Sequence, residues 1–222
     1  MELTEGLRTR QTIRAFLDRD VPRELIKELL AEAHRAPSSS NQQPWNFCVV
    51  TGRPLAALRE KLLQAHSESR TAYDPSKGKT IPAEYVDRTR TLFRALRPFL
   101  QQLGQDNRAF IETGSLRLYG APVAIIITMH KSFPRSRLMD LGMAAQNLML
   151  AAHGRGLGTC AIGLALLYDE VIRSELAIPP AFDIALLLAL GYPNTNSPLH
   201  GFRSPREELA QIIRWIGFDE ND

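Results

Sequence analysis

Arg10, Thr12 and Arg14 alternate within five residues near the amino end, in Arg10-Gln11-Thr12-Ile13-Arg14. In extended backbone alternate side chains share a face, so two guanidiniums and a hydroxyl can converge on one anion. The forked donors of arginine meet phosphate oxygens in pairs. A solvated charged turn is the competing reading of the same residues.

A second segment, Ala36-Pro37-Ser38-Ser39-Ser40-Asn41-Gln42-Gln43-Pro44-Trp45, clamps three hydroxyls and three amides between prolines. That is more hydrogen-bonding capacity than a turn needs, and it suits a polar ring edge such as a flavin pyrimidine or a ribityl chain. A plain serine-rich loop is the alternative.

Other chemistries find less support. Gly154, Gly156 and Gly158 follow a helical pattern and precede a strand, whereas a dinucleotide fingerprint needs the reverse order. A helix ending, where glycine tolerates left-handed backbone, fits better. The five histidines, His34, His66, His130, His153 and His200, lack metal-ligand spacing, and no metal site is expected. No nucleophile elbow surrounds Ser38 to Ser40, so no dedicated catalytic side chain is expected.

The positioning elements follow from periodicity. Residues 2–9 predict a short helix, and Pro22 opens a second with Leu25, Ile26, Leu29, Leu30 and Ala33 at helical spacing. Phe47 to Thr51 is a buried strand. A third helix runs from Pro54 to about His66, residues 67–82 form a mobile loop, and Leu92 to Leu103 suggest a further helix. Ala121 to Met129 is a strand, and Ser136 to His153 is a helix apolar on nearly every side, placed in a core or a subunit interface. Thr159 to Ile162 and Phe182 to Leu190 are strands. A short helix from Arg206 and a last strand from Ile212 to Phe218 complete the chain. Helices and strands intermix, so the class is α+β, one domain over 1–222 around a sheet of four or five strands.

Composition bounds the function. Of 222 residues 44% are hydrophobic and 23% charged, which excludes disordered and collagen-like chains. The net charge of +3 is scattered, against a nucleic-acid binder, which needs a dense basic face. Cys48 and Cys160 are expected as free thiols. The charged stretch Met1 to Arg14 lacks a signal-peptide core. The most apolar run, Leu138 to Ala152, is too short to span a bilayer. A cytoplasmic protein without a membrane partner is the expectation.

Arg10-Gln11-Thr12-Ile13-Arg14-Ala15-Phe16 follows the pattern Arg-x-Ser/Thr-x-Arg/Lys-x-Phe of the nitroreductase family. The family's second signature, Ala-Pro-Ser-x-x-Asn-x-Gln-Pro-Trp, is met at every fixed position from Ala36 to Trp45. Gly120-Ala121-Pro122-Val123, Gln146-Asn147-Leu148, Gly156-Leu157-Gly158-Thr159 and Gly191-Tyr192-Pro193 match in the correct order. The chain therefore resembles that family over most of its length, with roughly 60–118 loosely matched.

The resemblance implies a mostly antiparallel sheet flanked by helices in an intertwined homodimer, with FMN at the interface. It implies an FMN-dependent oxidoreductase that takes hydride from NADH or NADPH and reduces nitroaromatics, quinones or similar electron-poor small molecules by ping-pong exchange. Arg10, Gln11, Thr12 and Arg14 would come from one subunit, with Arg10 on the phosphate and Arg14 at the flavin N1 and O2 edge. Pro37, Ser38, Ser39 and Asn41 would reach in from the other. Cys160, Ala161, Ile162 and Gly163 would pass the ring, with a backbone N–H near Gly163 aimed at N5. Arg206, or else Arg203, would complete the phosphate site. The segment at about 66–118 would cover the ring and select the acceptor.

Three departures qualify the match. Gln11 and Ser204 stand where basic residues are frequent, and Gly163 brings no side chain to the ring. Reductive dehalogenation, enone reduction or supply of free reduced flavin are alternatives within flavin chemistry. Flavin binding without turnover is the alternative from another class.

Overall fold

The computed structural model describes residues 2–69 and 78–218. Four strands form one antiparallel sheet in the order β1-β2-β4-β3: β1 (Trp45–Thr51), β2 (Val123–His130), β3 (Gly158–Ile162) and β4 (Phe182–Gly191). β2 lies inside, and its alternation divides the core. Val123, Ile125, Ile127 and Met129 point to one face, Ala124 and Ile126 to the other. β4 divides likewise, with Leu188 and Leu190 opposed to Leu187 and Ala189. A strand buried on both faces reads as a continuous apolar run, which is how these two strands read in sequence.

Helices cover both faces. Six helices surround the sheet with α1 (Leu3–Thr9) before them: α2 (Arg23–Ala33), α3 (Gly52–Ser69), α4 (Ala83–Gln102), α5 (Asn107–Leu116), α6 (Leu138–Gly154) and α7 (Asp169–Glu175). On one face Ile26, Leu29 and Ala33 of α2 pack with Leu141, Ala144, Ala145 and Leu148 of α6. On the other, Leu55, Leu58 and Leu62 of α3 pack with Leu116 and Ile172. Each fully buried leucine or isoleucine among them contributes about 1.5–3 kcal/mol. Leu96 and Leu100 of α4 join Phe110 and Phe202 in a third cluster.

α6 ends where the glycine spacing predicts. Gly156 has φ +72°, and Leu157 N–H returns to the Ala152 carbonyl at 2.9 Å, which satisfies a terminal acceptor. Gly158 is not part of that ending; it is the first residue of β3.

The expected strand over Ile212–Phe218 is not formed. The segment is irregular, and Ile212, Trp215, Ile216 and Phe218 are exposed, so within the single chain it does not pair with the sheet. The expected short helix from Arg206 is only a 3-10 turn at Leu209–Gln211. Of the expected loop over 67–82, residues 70–77 lie outside those described, 67–69 continue α3, and 78–82 are irregular. Among the described residues no helix is long and apolar enough to cross a membrane. Both cysteines are free thiols.

Candidate functional site

Residues 10–17 run as extended chain along the outer side of β3. Thr12 makes a parallel bridge with Thr159, Ile13 N–H donates to the Thr159 carbonyl at 2.9 Å, and Leu17 N–H donates to the Tyr192 carbonyl at 2.9 Å. Ile13 is buried against Gly158. Alternation then turns Thr12 and Arg14 the other way.

Arg10 lies beside Arg206, brought back by the carboxyl-terminal segment. Burial and then the Arg206 charge push the Arg10 pKa down. No carboxylate offsets this pair among the described residues, so the two cations create a demand for an anion. Arg206 is held by Ser204, donating to its hydroxyl at 2.7 Å. Arg203 is otherwise occupied. It donates to Gln11 Oε1 and to the His200 carbonyl at 2.8 Å, while Gln11 Nε2 donates to the same carbonyl at 3.2 Å. Gln11 thus ties the carboxyl-terminal segment to residue 10's neighbourhood. The structure gathers Arg10, Gln11, Arg203 and Arg206, with Arg206 the one beside Arg10.

Arg14 sits in a different setting. Its guanidinium carbon lies 5.9 Å from the Tyr119 ring centroid, and its buried Nε has no hydrogen-bond partner. A buried charged donor without a partner is costly, so this atom is open to an acceptor. The neighbouring groups register its charge. Burial raises the Cys160 thiol to about 11, with Arg14 opposing the rise. Burial also raises Tyr119, while its bond to Ser115 at 3.1 Å and the Arg14 charge act downwards. Tyr119 has φ +52° and its ring occupies the space a Cβ on Gly114 would need, 2.6 Å away. Sequence reading missed Tyr119, since nothing in its local pattern marks a left-handed tyrosine.

Residues 160–163 bring β3 to its end. Cys160 and Ile162 are buried, Ala161 and Gly163 exposed, and a 3-10 turn at Leu164–Tyr168 follows. The 10–16 segment passes between two clefts of about 410 and 470 Å³, the first lined by Arg10 and Gln11, the second by Arg14 and Tyr119.

The Pro37–Asn41 loop is elsewhere. Trp45 Nε1 donates to His34 Nδ1 at 3.1 Å, and Gln43 N–H donates to Ser38 Oγ at 2.9 Å, so both ends of the loop are pinned. Ser40, Asn41 and Gln43 have φ of 51°, 53° and 46°. Left-handed backbone at three non-glycine residues stores strain, which concentrates at functional sites. Ser39 N–H meets Asp140 Oδ2 at 3.4 Å, in the first turn of α6. At the other end of α6, Thr9 Oγ1 meets His153 Nε2 at 2.8 Å, next to Arg10. Burial and then Arg10 lower the His153 pKa. At 1.5 Å per residue the two groups of site residues sit roughly 20 Å apart along α6. One chain does not bring them together.

Known proteins share this sequence pattern and fold. A model of the nitroreductase family matches residues 7–192. The 4-nitrobenzoate reductase of Pseudomonas putida is 31% identical, over 95% of this chain and 94% of the relative. The FMN- and NADPH-dependent nitroreductase NfnB from Sphigopyxis sp. strain HMH superposes with a TM-score of 0.88 at 28% identity, covering 98% of this chain and 100% of that one. The FMN-dependent nitroreductase NfnB of Mycobacterium smegmatis, solved with NADPH, gives 0.81 at 29% identity, covering 97% and 100%.

Proposed function

The chain belongs to the nitroreductase family, and from that premise we propose how its residues hold FMN and admit a nitroaromatic acceptor. It is an FMN-dependent NAD(P)H oxidoreductase, as the similarity to FMN- and NADPH-dependent nitroreductases over the whole chain supports. FMN, when bound, supplies the two-electron chemistry that links NAD(P)H to the acceptor.

The observation that carries the assignment is the pair of arginines without an acid, Arg10 beside Arg206. They fit the phosphate. Arg14, with its unpartnered Nε, fits the pyrimidine edge and fixes a positive charge there. Gln11 holds Arg203 and the tail in place, and Thr12 anchors the segment on β3. Residues 160–163 would form the wall beside the ring, where the exposed Gly163 brings main-chain groups and no side chain. Arg203, already bonded to carbonyls, has the lesser role at the phosphate.

The cofactor site is completed by a second copy of the chain. Pro37, Ser38, Ser39 and Asn41 of that copy would supply the hydroxyls and amides. Three features support an intertwined homodimer. The two half-sites lie at opposite ends of α6, as an antiparallel pairing of α6 with its copy requires. α1 and α6 carry exposed Leu3, Leu7, Met139 and Met143, an apolar face with nothing over it. The tail with Trp215 and Ile216 is unpartnered, and β1 is a free sheet edge able to receive it.

The whole chain acts as one domain, and α4 and α5 form its acceptor-selecting cover. The test is a visible spectrum of the purified protein followed by anaerobic titration with NADH and NADPH, then reoxidation by nitroaromatics and quinones. Bleaching and reoxidation are expected. A colourless protein that FMN cannot reconstitute would sink the proposal, and flavin that no nicotinamide bleaches would make it a binding protein.

A further inference from the structure

Steps of three and four residues return to the same side of a helix, so Val86, Arg90, Phe93, Arg94 and Arg97 share one face, and Leu96 and Leu100 at its edge pack with Phe93 into the core. This face lines a cleft of about 790 Å³, closed by Arg108, Ile111 and Glu112 of α5 and by Leu164. Leu164 follows Gly163 directly, so the cleft borders the end of β3.

Among the described residues four guanidiniums line the cleft, with Glu112 as the one carboxylate. Arg108 is bonded to Glu112 at 3.0 Å, and Arg90 to Asp87 at 2.8 Å. Arg94 and Arg97 have no ion pair or hydrogen bond among the described residues. Phe93, Ile111 and Leu164 give the same cleft an apolar floor. An apolar surface of that kind suits a flat ring, and unpaired cations at its rim suit a charge on that ring.

Resting on the oxidoreductase reading above, we propose that this cleft selects aromatic acceptors that carry a carboxylate or similar anion. The ring lies against Phe93, Ile111 and Leu164, and Arg94 and Arg97 hold the anionic group. An anion at this position has two sources in such an enzyme, the acceptor itself or the phosphate that distinguishes NADPH from NADH. The apolar floor commits the cleft to the acceptor.

The test uses the holoenzyme and an Arg94→Gln/Arg97→Gln variant, both substitutions being at exposed positions. Calorimetric titration with benzoate and benzamide measures charge preference without turnover. Benzoate is expected to bind at least about tenfold tighter, and the variant to lose that preference. In assays, kcat/KM for 4-nitrobenzoate falls about tenfold or more in the variant, while methyl 4-nitrobenzoate stays within about twofold. Equal binding of benzoate and benzamide, or equal slowing of acid and ester, overturns the proposal. A loss seen with NADPH and not with NADH assigns the arginines to the nucleotide and overturns it too. A protein that prefers benzoate yet reduces no nitro compound leaves this inference standing and fails the oxidoreductase reading instead.

Discussion

Ile13 lies so close over Gly158 that a Cβ on the glycine would sit 2.4 Å from Ile13 Cγ1 and 2.8 Å from its Cβ. Hydrogen at that position lets the 10–16 segment lie down on β3. Gly158→Ala should therefore lift the segment, cost about 1–3 kcal/mol of stability, and weaken FMN binding. Thermal unfolding and flavin titration of the same variant measure both; unchanged flavin affinity would separate the contact from the site.

The phosphate assignment separates FMN from riboflavin. Arg206→Ala should weaken FMN about tenfold to a hundredfold, as expected for loss of a charged hydrogen bond of about 1.5–3 kcal/mol, and leave riboflavin almost unaffected. Arg203→Ala should cost less, because that guanidinium is already bonded to Gln11 and to the His200 carbonyl. Equilibrium binding of the two flavins checks the order.

The proposed place of Arg14 at the flavin makes the reduction potential its readout. Removing its charge by Arg14→Ala should lower the reduction potential of bound flavin, on the order of 30 mV for each 1.4 kcal/mol of lost two-electron stabilisation. Tyr119→Phe keeps the ring under the guanidinium and the charge of Arg14, and drops the hydroxyl that meets Ser115 and Arg14, so its shift should be smaller. Spectroelectrochemistry decides, and equal potentials in wild type and Arg14→Ala would remove the arginine from this role.

Charging the apolar face of α6 should dissociate the dimer. Met139 is 70% exposed in the single chain and Met143 38%. A Met139→Lys/Met143→Lys variant is expected to sediment as a monomer and to lose bound flavin in the same step. A flavin-replete monomer would contradict the shared site.

The Cys160 thiol gives the alkaline limb. Its pKa is raised from the ordinary 9.0 to about 11, so the unfolded chain gives up this proton first. The stabilisation is complete below about pH 9 and declines as pH rises towards about 11, at 1.36 kcal/mol per unit. Chemical denaturation of wild type and Cys160→Ala across that range should converge, with the variant less dependent on pH. At neutral pH the thiol should resist alkylation.

Both polar segments were legible in sequence because they are local. Arg10 to Arg14 needs only an extended backbone, and Pro37 to Trp45 needs only its prolines and amides. The continuous apolar runs of β2 and β4 were equally plain. α5 and α7 escaped because each is short and packs through few residues, Phe110 and Leu116 in one and Ile172 in the other. The strand expected at Ile212–Phe218 shows the opposite failure. Its composition is that of a strand, yet pairing is a property of an edge, and within the single chain the segment meets none. Tyr119 and the arginine face of α4 depend on packing, although the spacing 90, 94, 97 carried a signal.

The separation of the two half-sites along α6 has a genetic reading. A chain damaged at Arg10 keeps a sound serine loop, and a chain damaged at that loop keeps sound arginines. Mixed together, two variants each dead alone should complement, because every mixed dimer assembles one intact site and one doubly damaged site. Random exchange of subunits would restore roughly a quarter of the wild-type sites. By the same logic one faulty chain in a mixed dimer spoils one site and leaves the other intact.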